Sequence, residues 1–279
     1  MTRCAAILCL SGLLLVPVGC STPTATTEPT AATEPTDPET GPATSEARPK
    51  REPIEPSAEA QAVVDANDRP ESDRRIDERR RAAEMLTFMQ VRPGMKVADL
   101  MAGGGYTTEL LARTVGPSGV VYAQNNAFAL ENIVKGGLDK RLQREVVANV
   151  VAVAAELEAP LPEAATGLDL VTIVFSYHDA IALGTDVAAL NKAVFEALAP
   201  GGRFIVIDHA APDGTPLSKA EALHRLDEAM VVQQVTEAGF RPGRTSDFLR
   251  DPADARTAPS FKVGFETDRF ALEFIKPQS

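Results

Sequence analysis

The chain has 279 residues, a formal net charge of −11 and 44% hydrophobic residues. The length beyond a polar N-terminal stretch suits one α/β domain, and the acidic balance disfavours a nucleic-acid partner, whose phosphates reward Lys and Arg. Cys4, Cys9 and Cys20 all precede residue 21, so the rest of the chain can form neither an internal disulfide nor a thiolate metal site.

Met1-Thr-Arg3 carries one positive charge and is followed by an apolar run from about Ala5 to Val18, then Gly19-Cys20-Ser21. This pattern reads as a secretory signal over residues 1–19, because the apolar run falls short of the roughly 20 residues that span a bilayer. The ending Pro17-Val18-Gly19-Cys20 resembles a bacterial lipobox. That resemblance implies lipidation of Cys20 with palmitate-type chains and a membrane anchor at the mature N-terminus. By the same resemblance, Ser21 implies an envelope location on the periplasmic side of the outer membrane. A plain secretory peptide with Cys20 unmodified is the other reading. Residues 20–68 are rich in Thr, Pro, Ala and Glu, and no aromatic residue precedes Phe88. Such a composition buries too little apolar surface to offset ordering entropy, so an extended, disordered tether is expected.

A domain is expected over residues 69–279. Ser72 or Asp73 caps a helix running to about Gln90, with Ile76, Ala83, Leu86 and Met89 inward. The arginine cluster from Arg69 to Arg81 reads as a solvated helix face, with a basic patch toward lipid or phosphate as the lesser alternative. Arg92-Pro-Gly-Met-Lys96 turns into a strand over Val97–Leu100. Gly103, Gly104 and Gly105 then precede a helix marked by Leu110, Leu111 and Val115. Strand, glycine turn and helix N-terminus together suit close approach of a nucleotide-like ligand. Further strands are expected at Val120–Gln124, Val146–Ala155, Leu168–Phe175 and Arg203–Asp208, and a helix over residues 131 to 145. Thr185 caps a helix presenting Val187, Leu190, Val194 and Leu198, and Asp227 caps another with Val231, Val235 and Ala238 inward and Gly239 as its stop. Late strands fall near Arg244–Leu249 and Asp268–Ile275. Alternating strands and helices imply a Rossmann-like, doubly wound α/β fold: a mostly parallel, seven-stranded sheet with helices on both faces and ligands at the strand C-terminal rim.

The residues that carry a family resemblance are Asp99-x-x-x-Gly103-Gly104-Gly105, Val91-Arg-Pro-Gly-Met-Lys-Val97, the strand Leu168–Phe175 and Leu198-Ala-Pro-Gly-Gly-Arg203. From about residue 75 to the end the chain resembles a class I S-adenosylmethionine-dependent methyltransferase. Phe175-Ser-Tyr-His-Asp179 and Val206-Ile-Asp-His209 are similar to a poorly characterised group within that superfamily. The resemblance implies that Asp99 orients the turn and that Ala102, Gly103, Gly104 and Gly105 approach S-adenosyl-L-methionine. Met101 stands where the family usually has Gly, and Gln124 and Asn125 stand where it usually has the acid that accepts from the ribose. Asn125 is therefore the expected ribose partner, since an amide oxygen still accepts. Glu156 reads either as an adenine-amine acceptor or as a surface acid.

The same resemblance places Tyr177, His178 and Asp179 toward the methyl acceptor. Histidine suits a general base, so His178 is the expected base or orienting group, supported by Asp179 or Tyr177, with His209 also at the rim. No metal is expected; the alternative is an ion on His178, Asp179, Asp208 and His209. His224 and Arg225 are candidates for a lid, and the loop Asp251–Pro259 for a pocket wall. The functional expectation is an envelope-anchored methyltransferase acting on a small-molecule acceptor. A catalytically inactive, methyltransferase-like lipoprotein that binds a nucleoside-type ligand, a metal or an envelope partner is the alternative, and a dinucleotide oxidoreductase is weaker because the full glycine fingerprint is lacking.

Overall fold

The computed structural model describes residues 51–264 and 266–278. The signal over 1–19, the lipidation site Cys20 and the first part of the tether lie outside the described residues. Among the described residues the strands are β1 (Arg51–Glu52), β2 (Lys96–Leu100), β3 (Val120–Asn125), β4 (Val150–Ala154), β5 (Leu168–Val174), β6 (Leu198–His209), β7 (Arg241–Ser246) and β8 (Arg269–Ile275). The helices are α1 (Ala58–Val64), α2 (Glu71–Arg80), α3 (Ala82–Met89), α4 (Tyr106–Val115), α5 (Ala127–Ala129), α6 (Gly137–Leu142), α7 (Tyr177–Ala182), α8 (Val187–Ala197), α9 (Ala220–Leu223), α10 (Glu228–Glu237) and α11 (Ser260–Val263).

The strands lie in the order β1-β7-β8-β6-β5-β2-β3-β4. Only β8 runs against its neighbours, pairing antiparallel with β6 and β7. The fold is thus the doubly wound, mostly parallel seven-stranded sheet of the expectation, extended at one edge by the two-residue β1. Period-two alternation sends successive side chains to opposite faces. Ala98, Leu100, Val171, Ile173, Phe204 and Val206 enter one buried cluster. Val97, Val121, Leu170, Val174, Ile205 and Ile207 enter the other. Chain order reverses between β2 and β5, which puts a ligand crevice at their C-terminal ends.

Several boundaries differ from the sequence reading. The expected tether over 20–68 ends too late, because α1 is folded with Ala60 and Val64 buried against α3 and α4. Two apolar faces one turn apart suffice for a helix that packs on a core already present; Pro-rich flanks hid them. The helix expected from Ser72 or Asp73 to Gln90 is two helices, with Arg81 in the left-handed region at φ 49° between them and Pro70 at the first N-terminus. The polar α2 buries only Asp73, whereas α3 buries Ala82, Ala83, Met85, Leu86, Phe88 and Met89, so a single straight helix would not serve both environments. The span 131–145 is likewise broken, with a π-turn over Leu130–Val134 ahead of α6. Asp186, not Thr185, caps α8, its carboxylate accepting from the N–H groups of Ala188 and Ala189 at 3.0 and 3.1 Å. Asp227 caps α10 by accepting from Ala229 N–H at 2.9 Å.

Candidate active site at the glycine turn and the histidine rim

Asp99 is buried near the end of β2, and its carboxylate accepts from the Thr108 hydroxyl of α4 at 2.6 Å and the Thr172 hydroxyl of β5 at 3.0 Å. Burial pushes this carboxyl up to about 6, against the opposing pull of the two hydroxyls and of Arg80. Asp99 therefore clips together the two elements that flank the glycine turn.

The turn itself is bound to the end of β3. Met101, at φ 51°, donates its N–H to Gln124 Oε1 at 3.0 Å, and Gly103 donates its N–H to Asn125 Oδ1 at 2.8 Å. Asn125 Nδ2 donates back to the Gly103 carbonyl at 3.2 Å, and Gln124 Nε2 donates to the Ala155 carbonyl at 2.7 Å. Asn125, the expected ribose partner, is fully buried, and its side chain clamps the backbone of Gly103 on both sides. An amide matches both the N–H and the C=O of one residue, which an acceptor-only carboxylate does not. Glu156 is exposed and accepts from the N–H of Ala127 at 3.3 Å, away from the walls of the cavity. Gly105 sits at φ 82°, and a Cβ there would stand 2.9 Å from Arg141 Cδ and Leu138 Cδ1, so this position admits only glycine without displacement.

Above the turn lies a cavity of about 240 Å³ whose walls include Met101, Ala102, Gly103, Gly104, Phe175 and Arg80. Arg80, at the end of α2, lines it, and α2 is clamped from several sides. Arg69 donates twice to Asp77, at 2.6 and 2.8 Å, and the Tyr106 hydroxyl donates to Asp77 at 2.5 Å. Arg141 bridges Asp73 at 2.7 Å, Glu109 at 2.5 Å and the Gly104 carbonyl at 2.7 Å. Glu109 also accepts from Arg113 and Arg144, and these guanidinium groups outweigh burial to hold its carboxyl below the usual range.

Arg80 departs from the solvated face expected of the arginine cluster. Arg74, Arg75 and Arg81 are exposed, but Arg80 turns inward with its guanidinium 4.6 Å from the Tyr106 ring centroid and 5.3 Å from that of Phe175. Its Nε is buried with no hydrogen-bond partner, and it forms no ion pair among the described residues. Burial lowers its pKa. Sequence reasoning missed this residue, because nothing in an arginine run tells which member turns inward.

The second half of the rim is built on Asp208, which is fully buried at the end of β6. It accepts from His178 N–H at 2.8 Å, pairs with His178 Nδ1 at 2.6 Å and accepts from His209 N–H at 2.7 Å. His178 Nε2 lies 3.1 Å from Asp179 Oδ1. Burial alone would lower the imidazole's pKa, but Asp208 and Asp179 prevail and push it up to about 10. Both ring nitrogens of His178, expected to be the base or orienting group, thus face carboxylates, Nδ1 toward Asp208 and Nε2 toward Asp179, and these favour its protonated form. Tyr177 is corrected: it is fully buried, and its hydroxyl accepts from Asn191 Nδ2 at 2.9 Å, within the core and not toward an acceptor.

His209 pairs through Nδ1 with the Thr267 hydroxyl at 2.8 Å and stacks on Phe175 with centroids 5.3 Å apart. Burial, aided by the positive charges of His178 and Arg269, holds its pKa down at about 4, so it is neutral at pH 7. His224, at φ 46°, joins the cluster with Nδ1 3.3 Å from Asp179 Oδ1. Arg225 is fully buried and donates to the carbonyls of Ala210 and Ala258 and to Asp254, tying the loop after residue 250 to the end of β6. Met101, Phe175 and His224 are all non-glycine residues in the left-handed region at this rim, a form of strain that collects at functional sites.

Residues 75–230 match the model of the ubiE/COQ5 methyltransferase family. The ubiquinone/menaquinone biosynthesis C-methyltransferase UbiE of Pseudomonas paraeruginosa is 37% identical over 132 residues, covering 47% of this chain and 48% of the relative. That of Pasteurella multocida is 38% identical over 131 residues, covering 46% and 45%. The chain thus spans about half the length of the curated relatives it matches. Among solved structures, a SAM-dependent methyltransferase from Aquifex aeolicus superposes with TM-score 0.50 at 18% identity, over 77% of this chain and 97% of the other. An arsenic(III) S-adenosylmethionine methyltransferase from Chlamydomonas reinhardtii does so with TM-score 0.51 at 18% identity, over 80% and 74%.

Proposed function

This chain belongs to the ubiE/COQ5 methyltransferase family, whose methyl donor is S-adenosylmethionine, and on that premise we propose that the glycine-turn cavity binds this cofactor for methyl transfer to a small-molecule acceptor. The observation that carries the proposal is Arg80. A guanidinium that lines the cavity and whose buried Nε lacks a partner fits a carboxylate, and the methionine portion of the cofactor carries one. The turn's missing side chains let backbone approach the same end of the ligand. The cofactor supplies a sulfonium methyl for in-line displacement. The chain's own part is positioning and exclusion of water: Arg80, on the clamped α2, holds the carboxylate, and Asp99 and Asn125 fix the turn. Phe175 and the neutral His209 offer the acceptor an aromatic wall with a polar edge. His178, held by Asp208 and facing Asp179, fixes the polar end of that wall.

Calorimetric titration with S-adenosylmethionine and S-adenosylhomocysteine tests this. Binding that disappears in Gly105→Arg supports it, and a mass increase of one methyl on a co-incubated candidate acceptor establishes transfer. Absence of binding to either compound would sink it. The alternative is a family member that binds a smaller ligand without turnover. It draws on the size of the cavity, which at about 240 Å³ is below the roughly 300 Å³ at which ligand pockets begin. It also draws on the commitment of Gln124 and Asn125 to the turn. It predicts nucleoside binding with no methyl transfer.

We further propose that the domain is carried on the cell envelope through a lipid on Cys20, on the strength of the lipobox-like Pro17-Val-Gly-Cys20. Among the described residues no helix is long and apolar enough to cross a membrane. Mass spectrometry of the membrane fraction is expected to find a diacylglyceryl adduct on Cys20, and Cys20→Ser should release the protein to the soluble fraction. An unmodified Cys20 on a membrane-free protein would reject the anchor.

A further inference from the structure

We propose that His178, Asp179 and His224 form a binding site for one divalent transition-metal ion at the C-terminal rim of the sheet. The three residues each offer one ligand atom, and these atoms all lie within 4.8 Å of one another. Two of the separations are 3.1 Å, from His178 Nε2 to Asp179 Oδ1, and 3.3 Å, from His224 Nδ1 to Asp179 Oδ1. Ligands held about 2.0–2.1 Å from one tetrahedral ion stand about 3.3 Å apart, so these two contacts already have the required spacing.

The surroundings are those of a supported site. Asp208, fully buried, holds His178 Nδ1 at 2.6 Å and so aims Nε2 toward Asp179. A carboxylate behind a histidine ligand fixes its ring and raises its basicity. His224 is brought in by a left-handed residue just ahead of a pinned segment: Leu226 donates its N–H to the His209 carbonyl at 2.9 Å, and Arg225 is buried among three acceptors. His224 and His178 rings meet edge to face at 5.2 Å, so both nitrogens converge without rearrangement of the backbone. The ligand set corrects the alternative read from the sequence. Asp208 stands behind the site, and His209 is engaged with Thr267.

Two imidazoles and one carboxylate suit zinc, iron(II) or cobalt(II) better than the oxygen-preferring calcium and magnesium. Asp179 and His224 keep side-chain exposures of 29% and 35%, so an ion there would retain coordination positions facing solvent. Those positions would accept water or an oxygen donor on a small molecule. The site is distinct from the glycine-turn cavity and does not depend on cofactor binding.

The test is cobalt(II) titration of the untagged, chelator-stripped full chain, read by visible absorption, alongside zinc(II) competition. The expected result is one equivalent of cobalt with d–d bands and no thiolate charge-transfer band, which excludes Cys4, Cys9 and Cys20 as ligands. Asp179→Asn and His224→Asn should each weaken binding tenfold or more, with the unfolding temperature of the metal-free protein within a few degrees of wild type. Asn is chosen at 224 because it tolerates the left-handed backbone. Absence of stoichiometric uptake by the wild type, or uptake that both variants retain at full affinity, would overturn the proposal. Neither readout involves S-adenosylmethionine, so failure here leaves the proposed function standing and the reverse also holds.

Discussion

Replacing Arg80 with methionine is expected to stabilise the unliganded protein while weakening cofactor binding. The buried Nε lacks a partner, and an unsatisfied buried polar group costs about 1–3 kcal/mol. The two ring contacts, to Tyr106 and Phe175, offset about 0.5–2 kcal/mol of that. Methionine keeps the apolar stem and recovers about 0.3–1.5 kcal/mol through sulfur–aromatic contact. The net expectation is a gain of about 1 kcal/mol, or a rise of about 2–4 °C in Tm for a domain of this size. Binding moves the other way. A hydrogen bond to a charged group contributes about 1.5–3 kcal/mol, so the S-adenosylmethionine Kd should rise about 10- to 150-fold. Calorimetry with the decarboxylated analogue isolates the contact: wild type should bind it more weakly than the parent compound, and Arg80→Met should bind the two alike. A variant that is less stable and equally tight for both ligands would refute the assignment of Arg80 to a carboxylate.

Three further outcomes test the supporting structure. The folded state holds the proton on Asp99 more tightly than the unfolded chain, with a pKa of about 6 against about 3.9. This group therefore penalises folding increasingly as pH rises from 4 through 6, by up to about 3 kcal/mol, and leaves no penalty below about pH 4. Urea unfolding of Asp99→Asn and wild type across pH 4–7 should diverge with rising pH in the variant's favour, and parallel curves would remove the buried-carboxyl reading. Gly105→Ala should lower stability by about 2–4 kcal/mol, combining left-handed strain with the 2.9 Å contacts. Gly103→Ala, at φ 57° with nothing within 4 Å, should cost only the strain, about 1–2 kcal/mol; equal Tm losses would contradict this difference. Glu109→Gln leaves Arg113, Arg141 and Arg144 around a neutral group, and thermal unfolding should show a loss of about 3 kcal/mol, whereas an unchanged Tm would mean that the network carries no stability.

Local signals in the chain were enough for the architecture. Strands such as Leu168–Val174 and the core of β6 are nearly continuous apolar runs because both faces of a parallel sheet are covered, and the glycine triplet and Asp227 mark element ends by backbone needs that neighbours in sequence reveal. The helix α1 and the break at Arg81 were not legible, since each depends on a surface contributed by distant elements. The same separation runs through the site. Asp99, the glycines, His178, Asp179 and His209 could be named from strand-end positions, but their partners could not. Asn125 is bound to a turn 22 residues away, His178 to Asp208 at a distance of 30, and Asp179 meets His224 across another loop. The upward shift of His178, the downward shift of His209 and the inward turn of Arg80 follow from burial and from charges brought together by the fold. These are sums over three-dimensional neighbours, and no window along the chain contains them.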